Sequence, residues 1–286
     1  MTPASSVSAP HETIERDVRR ALEEDIGSGD VTADLLPSGA HARARVITRD
    51  AAVLCGRDWF DECFRQVDAS TRVTWLAADG DRMAAGALLC HIEGLARSLV
   101  SAERTALNFL QTLSGTASVT AAYVDATRGS RTTILDTRKT LPGLRVAQKY
   151  AVRVGGGSNH RMGLYDAVLI KENHVAAAGS IAAAIARARA LHPGLLVETE
   201  VEDFTELREA VEAGADRIML DEFELHDLAR AVAEVGGRVP LEVSGSVALD
   251  RLRAIADTGV DYVSIGALTK HVHAVDLSMR MEILPP

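Results

Sequence analysis

Charged and small residues follow a series of apolar runs in the second half of this 286-residue chain. Apolar runs that alternate with Ala-rich helical stretches are typical of parallel β-strands buried on both faces. In a β/α barrel, the side chains at the carboxyl ends of the strands point into one mouth. The residues at the six run ends are Asp136, Lys171, Glu200, Asp221, Ser244 and Gly266. We expect them to form one ring, whose mixture of cations and acids indicates an active site.

Positive charge is concentrated between Asp136 and His174, although the formal net charge of the chain is −9. The basic residues of this stretch are Arg138, Lys139, Arg145, Lys149, Arg153, His160, Arg161 and Lys171. A solvated basic face is one explanation. The other is a site for a small polyanion, because cations that converge at strand ends repel each other unless an anion shares the space. Arg suits bidentate contacts with carboxylates or phosphates, and Lys supplies a point charge.

Glycine and serine at two late strand ends predict phosphate-binding loops. Residues 244–246 and 266–267 each lie between a strand and a helix, where backbone N–H groups and the helix dipole favour phosphate. The glycine run at residues 155–157 precedes His160 and Arg161. It is either an ordinary flexible turn or a loop that lets these two donors close over a ligand.

Two carboxylates, Glu200 and Asp221, end successive predicted strands. Such a pair suits Mg²⁺, which often takes one or two carboxylates together with substrate oxygens. A structural ion pair with neighbouring cations is the alternative. Glu198 and Glu242 lie near the same strand ends, but the alternation of side chains leaves their direction open. Lys171 suits either anion binding or, if desolvated, a Schiff-base role.

The elements that must position these residues fall into two groups. Residues 12–25 predict an amphipathic helix, residues 40–93 a small sheet exposed on one side, and residues 98–114 a long helix. A boundary near Gly115 separates this N-terminal domain (1–114) from a barrel domain (115–271) with six convincing strands. A seventh strand, around residues 245–247 or before Gly115, is doubtful, and residues 275–281 predict a final helix.

Composition narrows the class of protein. A hydrophobic content of 47% with 4% aromatic residues fits an α/β protein, and the charge of −9 disfavours nucleic-acid or anionic-membrane partners. No apolar run approaches the roughly 20 residues of a membrane span, and the N-terminus lacks the pattern of a secretory signal. We expect the first ten residues to be disordered. Cys55, Cys63 and Cys90 indicate neither a disulfide framework nor a zinc site, so the cytoplasm is the expected compartment.

Several longer motifs are similar to those of a known family. They lie at residues 24–32, 103–108, 136–145, 155–161, 169–174, 198–201, 219–221, 242–245 and 264–268. Together they resemble quinolinate phosphoribosyltransferase, also called nicotinate-nucleotide pyrophosphorylase (carboxylating), over nearly the whole chain. The resemblance implies an α/β protein of type II phosphoribosyltransferase fold: an N-terminal α+β open sandwich and an α/β barrel of fewer than eight strands. It also implies that the tail, about 272–286, packs back on the sandwich.

The resemblance further implies a reaction, a cofactor and a partner. Quinolinate and 5-phosphoribosyl 1-pyrophosphate would give nicotinate mononucleotide, pyrophosphate and CO₂ in the de novo route to NAD. Mg²⁺ would be required, and the enzyme would be a cytoplasmic homodimer or a higher oligomer, in which Arg104 reaches the site of the partner subunit.

Site roles also follow from the resemblance. The quinolinate-binding set would be Arg104, Thr137, Arg138, Lys139, His160, Arg161 and Lys171. The set for phosphoribosyl pyrophosphate would be Lys139, Glu200, Asp221, Ser244, Gly245, Ser246, Gly266 and Ala267. Lys139, Lys171, Glu200 and Asp221 would be catalytic, and Glu200 and Asp221 would hold the metal.

Three other functions stay open on the residues alone. A paralogue of the same fold, such as a molybdenum-locus protein, would differ in substrate. A Lys171 Schiff-base aldolase would use a different chemistry. A non-catalytic anion-binding protein would use the cations but gives no reason for the Glu200 and Asp221 pair.

Overall fold

A computed structural model describes residues 9–245 and 247–285 of the chain. Ser246 and most of the segment predicted to be disordered lie outside these residues. The described strands are β1 (His41–Thr48), β2 (Ala52–Val53), β3 (Arg72–Trp75), β4 (Arg82–Met83), β5 (Leu88–Leu95), β6 (Thr133–Leu135), β7 (Val168–Ile170), β8 (Val197–Val201), β9 (Arg217–Leu220), β10 (Leu241–Ser244), β11 (Tyr262–Ser264) and β12 (Leu277–Ile283).

The described α-helices alternate with these strands, most regularly in the second half of the chain. They are α1 (His11–Ile26), α2 (Arg57–Val67), α3 (Ala96–Ala126), α4 (Arg145–Val154), α5 (Glu172–Ala178), α6 (Ile181–Leu191), α7 (Phe204–Glu212), α8 (Leu225–Val235), α9 (Leu249–Asp257) and α10 (Ala267–Lys270). Among the described residues, no helix has both the length and the apolar character needed to cross a membrane.

The chain divides into two compact units. The first contains the described parts of Met1–Ala121, Leu141–Gly156 and His271–Pro286, and the second contains Ala122–Thr140 and Gly157–Lys270. The mixed α/β architecture predicted for the chain is confirmed, with an antiparallel sheet in the first unit and a parallel sheet in the second.

The first unit is built on an antiparallel sheet of order β12-β1-β5-β3. Alternate residues of β1 are buried and exposed, as a sheet with one solvated face requires. Ala42, Ala44 and Val46 join a core that includes Trp59 and Phe60 of α2.

Two predictions about the first unit are wrong. The predicted helix at 275–281 is strand β12, which pairs antiparallel with β1; Leu277, Met279 and Met281 have the period of two that a strand requires. Helix α3 also continues through Gly115 instead of ending there. A Cβ at Gly115 would lie 2.2 Å from the carbonyl oxygen of His273, so close packing of backbone explains this glycine.

The second unit is a six-stranded, all-parallel sheet of order β6-β11-β10-β9-β8-β7. Its strands are the six predicted from the sequence, and neither Gly245 nor Val247 is in a strand. Parallel neighbours place the carboxyl ends of all six strands on one side. The six residues predicted at the ends of the apolar runs lie in or just after these strand ends.

Candidate active site

The carboxyl ends of the parallel strands surround one cavity of about 370 Å³ in the second unit. Ten of the predicted site residues line it: Thr137, Arg138, Lys139, His160, Arg161, Lys171, Glu200, Asp221, Ser244 and Gly245. Leu169, Met219 and Ser264 complete the lining. The structure thus brings together residues that are up to 108 positions apart in the sequence, from Thr137 to Gly245.

Asp136 anchors the segment that carries His160 and Arg161. Its side chain is fully buried after β6, and one carboxylate oxygen accepts the backbone N–H of His160 at 2.9 Å. The other accepts the side-chain amide of Asn159. Ser158 extends the contact by donating its N–H to the carbonyl of Ile134 at 2.8 Å. Because β6 is an edge strand, this segment can lie beside it and bring the His-Arg pair to the cavity.

A tight turn after β6 presents Arg138 and Lys139. The N–H of Lys139 donates to Oγ1 of Thr137 at 3.0 Å, and the carbonyl of Lys139 accepts from Oγ1 of Thr269 at 2.9 Å. A Cβ at Gly266 would lie 2.8 Å from Cδ of Lys139. Gly266 therefore packs against the Lys139 side chain, while Ala267 begins the short helix α10.

Two guanidinium groups face the cavity close together. Burial is the main cause that lowers the pKa of Arg161, and the charge of Arg138 lowers it further. Glu198 and Asp166 oppose both effects. Mutual repulsion of this kind is relieved when an anion binds between two cations.

Lys171 and Glu200 form an ion pair across the ends of β7 and β8. The Lys171 side chain is 44% exposed, and Glu200 is largely buried. A Schiff-base lysine needs a desolvated amine, whereas the Lys171 side chain is partly exposed and its amine contacts a carboxylate. This environment favours anion binding by Lys171 over the aldolase interpretation.

Asp221 directly follows β9 and donates its N–H to the carbonyl of Val201 at 3.0 Å, which ties it to β8. The next residue, Glu222, has φ +56°, the left-handed conformation that turns the chain sharply. Glu200 and Asp221 line the same cavity. Two carboxylates beside a space for phosphate oxygens fit the ligand set that Mg²⁺ prefers.

A buried charge cluster lies beneath His160, and the sequence analysis did not identify it as a unit. His160 Nε2 is 3.0 Å from Oε2 of Glu198 and 3.6 Å from Oε1 of Glu242. Arg217 Nη1 is 3.0 Å from Oε2 of Glu242. The shared parity of Glu198 and Glu200 on β8 was the available signal, because residues i and i+2 face the same side of a strand.

The cluster shifts the acid–base equilibria of its members. Burial, followed by the charge of Glu198, raises the pKa of Glu242 to about 7. Burial of the imidazole lowers the pKa of His160, but a hydrogen bond with Glu198 and the charge of Glu242 outweigh it and raise the pKa above its ordinary value.

Packing accounts for the first residue of the glycine run. Gly155 ends α4, and a Cβ there would lie 2.5 Å from the carbonyl oxygen of Ala117 in α3. Gly156 has φ +91°, in the left-handed region that favours glycine. These two glycines are needed for the turn and the packing, whether or not a ligand binds.

Four predicted residues are not in the described lining of the cavity: Arg104, Ser246, Gly266 and Ala267. Gly266 and Ala267 lie just after β11. Arg104 lies in the first unit, exposed on α3, and its role in the site of a partner subunit stays a prediction. Ser246 lies outside the described residues.

Comparison with known proteins identifies the family. The N-terminal domain of quinolinate phosphoribosyl transferase matches residues 30–114, and its C-terminal domain matches residues 116–280. The chain belongs to this family. The "Nicotinate-nucleotide pyrophosphorylase [carboxylating]" of Mycobacterium leprae is 44% identical over 273 residues, which cover 92% of this chain and 95% of that protein. The tobacco (Nicotiana tabacum) "Quinolinate phosphoribosyltransferase [decarboxylating] 1b" is 38% identical, covering 93% of this chain and 81% of that protein.

A solved structure of the family has the same fold over nearly the full length. The nicotinate-nucleotide pyrophosphorylase of Francisella tularensis superposes with a TM-score of 0.94 at 47% identity, covering 96% of this chain and 98% of that one. The resemblance seen in the sequence motifs is confirmed.

Proposed function

We propose that this chain transfers the phosphoribosyl group of 5-phosphoribosyl 1-pyrophosphate to quinolinate with loss of CO₂. The products would be nicotinate mononucleotide and pyrophosphate, on the de novo route to NAD. The observation that carries this proposal is the cavity itself, where Arg138, Arg161 and Lys171 converge beside Glu200 and Asp221. Relatives of 37–44% identity named for this transferase support it.

The charge of the cavity fits the two substrates. Quinolinate carries two carboxylates, so Arg138 and Arg161 are proposed to hold them together with Lys171 and Thr137, while His160 lines the same cavity beside Arg161. Lys139 would face the pyrophosphate, and Ser244 and Gly245 would bind the 5′-phosphate at the end of β10. Gly266 and Ala267 would contribute backbone N–H groups at the end of β11, where a phosphate is favoured.

The chemistry requires positioning more than proton transfer. The pyridine nitrogen of quinolinate carries no proton, so its attack on the anomeric carbon needs no general base. The ribose becomes cationic as pyrophosphate departs, and fixed cations such as Lys139 stabilise the leaving group. Once the ring nitrogen is quaternary and positive, it stabilises the carbanion that remains on the adjacent carbon when CO₂ leaves, and that carbon then takes a proton from water. The 2-carboxylate is the one lost because it is attached to the carbon next to this nitrogen.

Glu200 and Asp221 are the residues we propose to hold Mg²⁺. When bound, the ion would neutralise part of the charge of the departing pyrophosphate. Before substrate binds, Lys171 neutralises Glu200.

We also propose a homodimer in the cytoplasm, in which Arg104 of each subunit completes the quinolinate site of the other. Arg104 is exposed in the single chain, and an exposed cation within the motif at 103–108 is available to a partner. The three cysteines are buried free thiols, which suits a reducing compartment.

The proposed activity is tested with quinolinate, phosphoribosyl pyrophosphate and Mg²⁺, by measuring CO₂ and nicotinate mononucleotide. Nicotinate serves as the matched analogue, because it lacks one carboxylate and would leave a cation of the Arg138 and Arg161 pair without its anion. A site built for a charged group rejects the analogue without it by a factor on the order of 10⁴ in kcat/KM. Comparable turnover of nicotinate would show that the two arginines do not bind a dicarboxylate.

The metal assignment predicts a specific kinetic loss. Glu200→Gln and Asp221→Asn are expected to lower kcat about a hundredfold at limiting Mg²⁺, because several kcal/mol of charge stabilisation is weakened. Quinolinate binding, measured by calorimetry, should change much less. The exposed pair Glu202→Gln and Glu224→Gln provides charge-matched controls outside the cavity. Unchanged rates at limiting Mg²⁺ in both site variants would mean that the two carboxylates are structural.

A further inference from the structure

The imidazole of His160 lies between the substrate cavity and a buried layer of charge. Its side chain is 9% exposed, while Glu198 and Glu242 beneath it are 1% and 0% exposed. Arg217, on the strand between them, is 16% exposed. The strand order β10-β9-β8 places these three side chains side by side under the ring. Buried carboxylates are stable only when donors and cations surround them.

The ring supplies one of those donors. Nε2 of His160 lies between Oε2 of Glu198 and Oε1 of Glu242, at 3.0 and 3.6 Å. Arg217 reaches the other oxygen of Glu242 at 3.0 Å but is 4.0 Å from Glu198. Neither oxygen of Glu198 has a well-aligned hydrogen-bond donor. A proton on Nε2 is therefore the nearest charge-balancing contact available to Glu198.

The opposite ring nitrogen is engaged by the backbone. Nδ1 of His160 accepts the N–H of Arg161 at 2.8 Å. A nitrogen that accepts a hydrogen bond carries no proton, so a neutral ring must have its proton on Nε2. The neighbouring carboxylates favour a second proton, but it would have to occupy Nδ1, where the Arg161 N–H already points. The contact from Arg161 therefore opposes a second proton on the ring.

The same contact argues against a metal site here. His160, Glu198 and Glu242 present ligand atoms within 4.8 Å of one another, a spacing that could hold an ion. Coordination by Nε2 would require the proton to move to Nδ1 and break the hydrogen bond from Arg161. Arg217 already provides the positive charge beside Glu242.

We propose that His160 is a positioning residue for Arg161 rather than a direct ligand of the substrate carboxylate. The charges of Glu198 and Glu242, at 3.0 and 3.6 Å, attract a proton on Nε2 from below. Nδ1 accepts the Arg161 backbone N–H, so that the guanidinium stays at a fixed place in the cavity. Asp136 fixes the backbone N–H of His160 from β6 in the same way. This role rests on the proposed binding of quinolinate by Arg161.

Two substitutions separate positioning from direct contact. Asn carries an acceptor oxygen at the same number of bonds from Cα as Nδ1, and Gln carries a donor at the same number of bonds as Nε2. If His160 positions Arg161, the Kd of His160→Asn for quinolinate should stay within about threefold of the wild-type value. The Kd of His160→Gln and of His160→Ala should rise about tenfold, which corresponds to the loss of one hydrogen bond. The KM for phosphoribosyl pyrophosphate should stay within about twofold in all three.

The contrary outcomes are equally specific. Retained affinity in His160→Gln with loss in His160→Asn would mean that Nε2 contacts the substrate, and it would overturn the proposal. Equal affinities in all three variants would do the same. Thermal unfolding is measured first, and binding is compared only between variants that are folded at the assay temperature.

A second measurement uses the wild-type protein and does not depend on any variant folding. Nitrogen-15 spectra of labelled histidine should show the His160 ring protonated at Nε2 and not at Nδ1, both before and after quinolinate is added. A proton on Nδ1 in the free protein would overturn the proposal. Failure of wild type to bind quinolinate would instead contradict the proposed function, and the ring spectrum would still report the hydrogen bonds of His160.

Discussion

For single residues, the charge of the cavity depends on how its cations and carboxylates pair. Glu200 pairs with Lys171, and Glu242 pairs with Arg217. Burial lowers the pKa of Arg161, and repulsion from the nearby charge of Arg138 lowers it further. An anionic substrate relieves that repulsion, so the physical basis of affinity lies in this pair.

Gly266 provides a prediction about Lys139. In Gly266→Ala the new methyl group would meet Cδ of Lys139, which must move. We expect little loss of stability, because the end of a lysine side chain is flexible, but roughly a tenfold lower kcat/KM for phosphoribosyl pyrophosphate, since misplacing a catalytic group costs rate. Steady-state kinetics test this. In a Lys139→Ala background the added Gly266→Ala substitution should have no further effect, and an additive loss would show that Gly266 acts otherwise.

Asp61 of α2 provides a pH prediction in the first unit. Burial raises its pKa from 3.8 to about 6, although Trp75 Nε1 donates to Oδ1 at 2.8 Å. A carboxyl with a raised folded-state pKa stabilises the fold below its unfolded pKa, and this contribution is lost as pH rises through about 6. Asp61→Asn keeps the acceptor without the charge. Its melting temperature relative to wild type should therefore rise by a few degrees between about pH 4 and pH 7.

The control for Asp61 is Glu12→Gln, which removes one exposed charge from α1. The difference between Glu12→Gln and wild type should not follow the same pH curve. A pH-independent difference for Asp61→Asn would show that this carboxyl is not desolvated.

At the scale of elements, close approach of backbones decides the packing of α3. This helix passes α4 and the segment before β12 at glycines, Gly155 and Gly115, where no side chain fits. The glycines therefore fix how closely these segments of the first unit approach one another.

Gly155→Ala tests this packing. The new Cβ would lie 2.5 Å from a backbone oxygen of α3, which cannot move as a side chain does. Overpacking of this kind lowers the free energy of unfolding by about 1–3 kcal/mol. Gly39→Ala is the control, because nothing lies within 4 Å of a Cβ there and its φ is not in the left-handed region. Equal denaturation midpoints for the two variants would refute the packing argument.

At the scale of the whole molecule, the question is whether one chain contains a complete site. The second unit alone supplies the described cavity, and Arg104 belongs to the first unit. If Arg104 serves the partner subunit, each site in the proposed dimer draws on both chains.

Mixed dimers test this sharing. Arg104→Ala and Asp221→Ala homodimers should each be nearly inactive, for different reasons. In a mixed dimer one site carries both lesions and the other carries neither. Random pairing of equal amounts gives about half mixed dimers, so about a quarter of all sites should regain wild-type activity.

Subunit exchange must be confirmed with a size-tagged chain, and two Asp221→Ala preparations mixed together provide the blank. If mixed dimers form and activity stays at the level of the parents, Arg104 acts within its own chain or outside the site.

The six parallel strands and the chemistry at their ends could be predicted from local sequence patterns. A buried parallel strand is a local apolar run, and strand ends of one parallel sheet meet on one side whatever the loops do. Lys171, Glu200 and Asp221 could therefore be grouped before any contact was known. The family motifs carried the same information in more specific form.

The side-chain contacts of these residues could be read only from the tertiary structure. The cluster of His160, Glu198 and Glu242 depends on strand register and on the path of the segment after α4, and neither is written in a local pattern. Strand β12 pairs with β1, more than 200 residues away, so its local sequence pattern led to a helix prediction where the structure has a strand. Gly115 resembled a helix end because its packing neighbour, His273, is also far away in the chain. Local periodicity reports burial, whereas pairing between distant segments depends on how the whole chain packs.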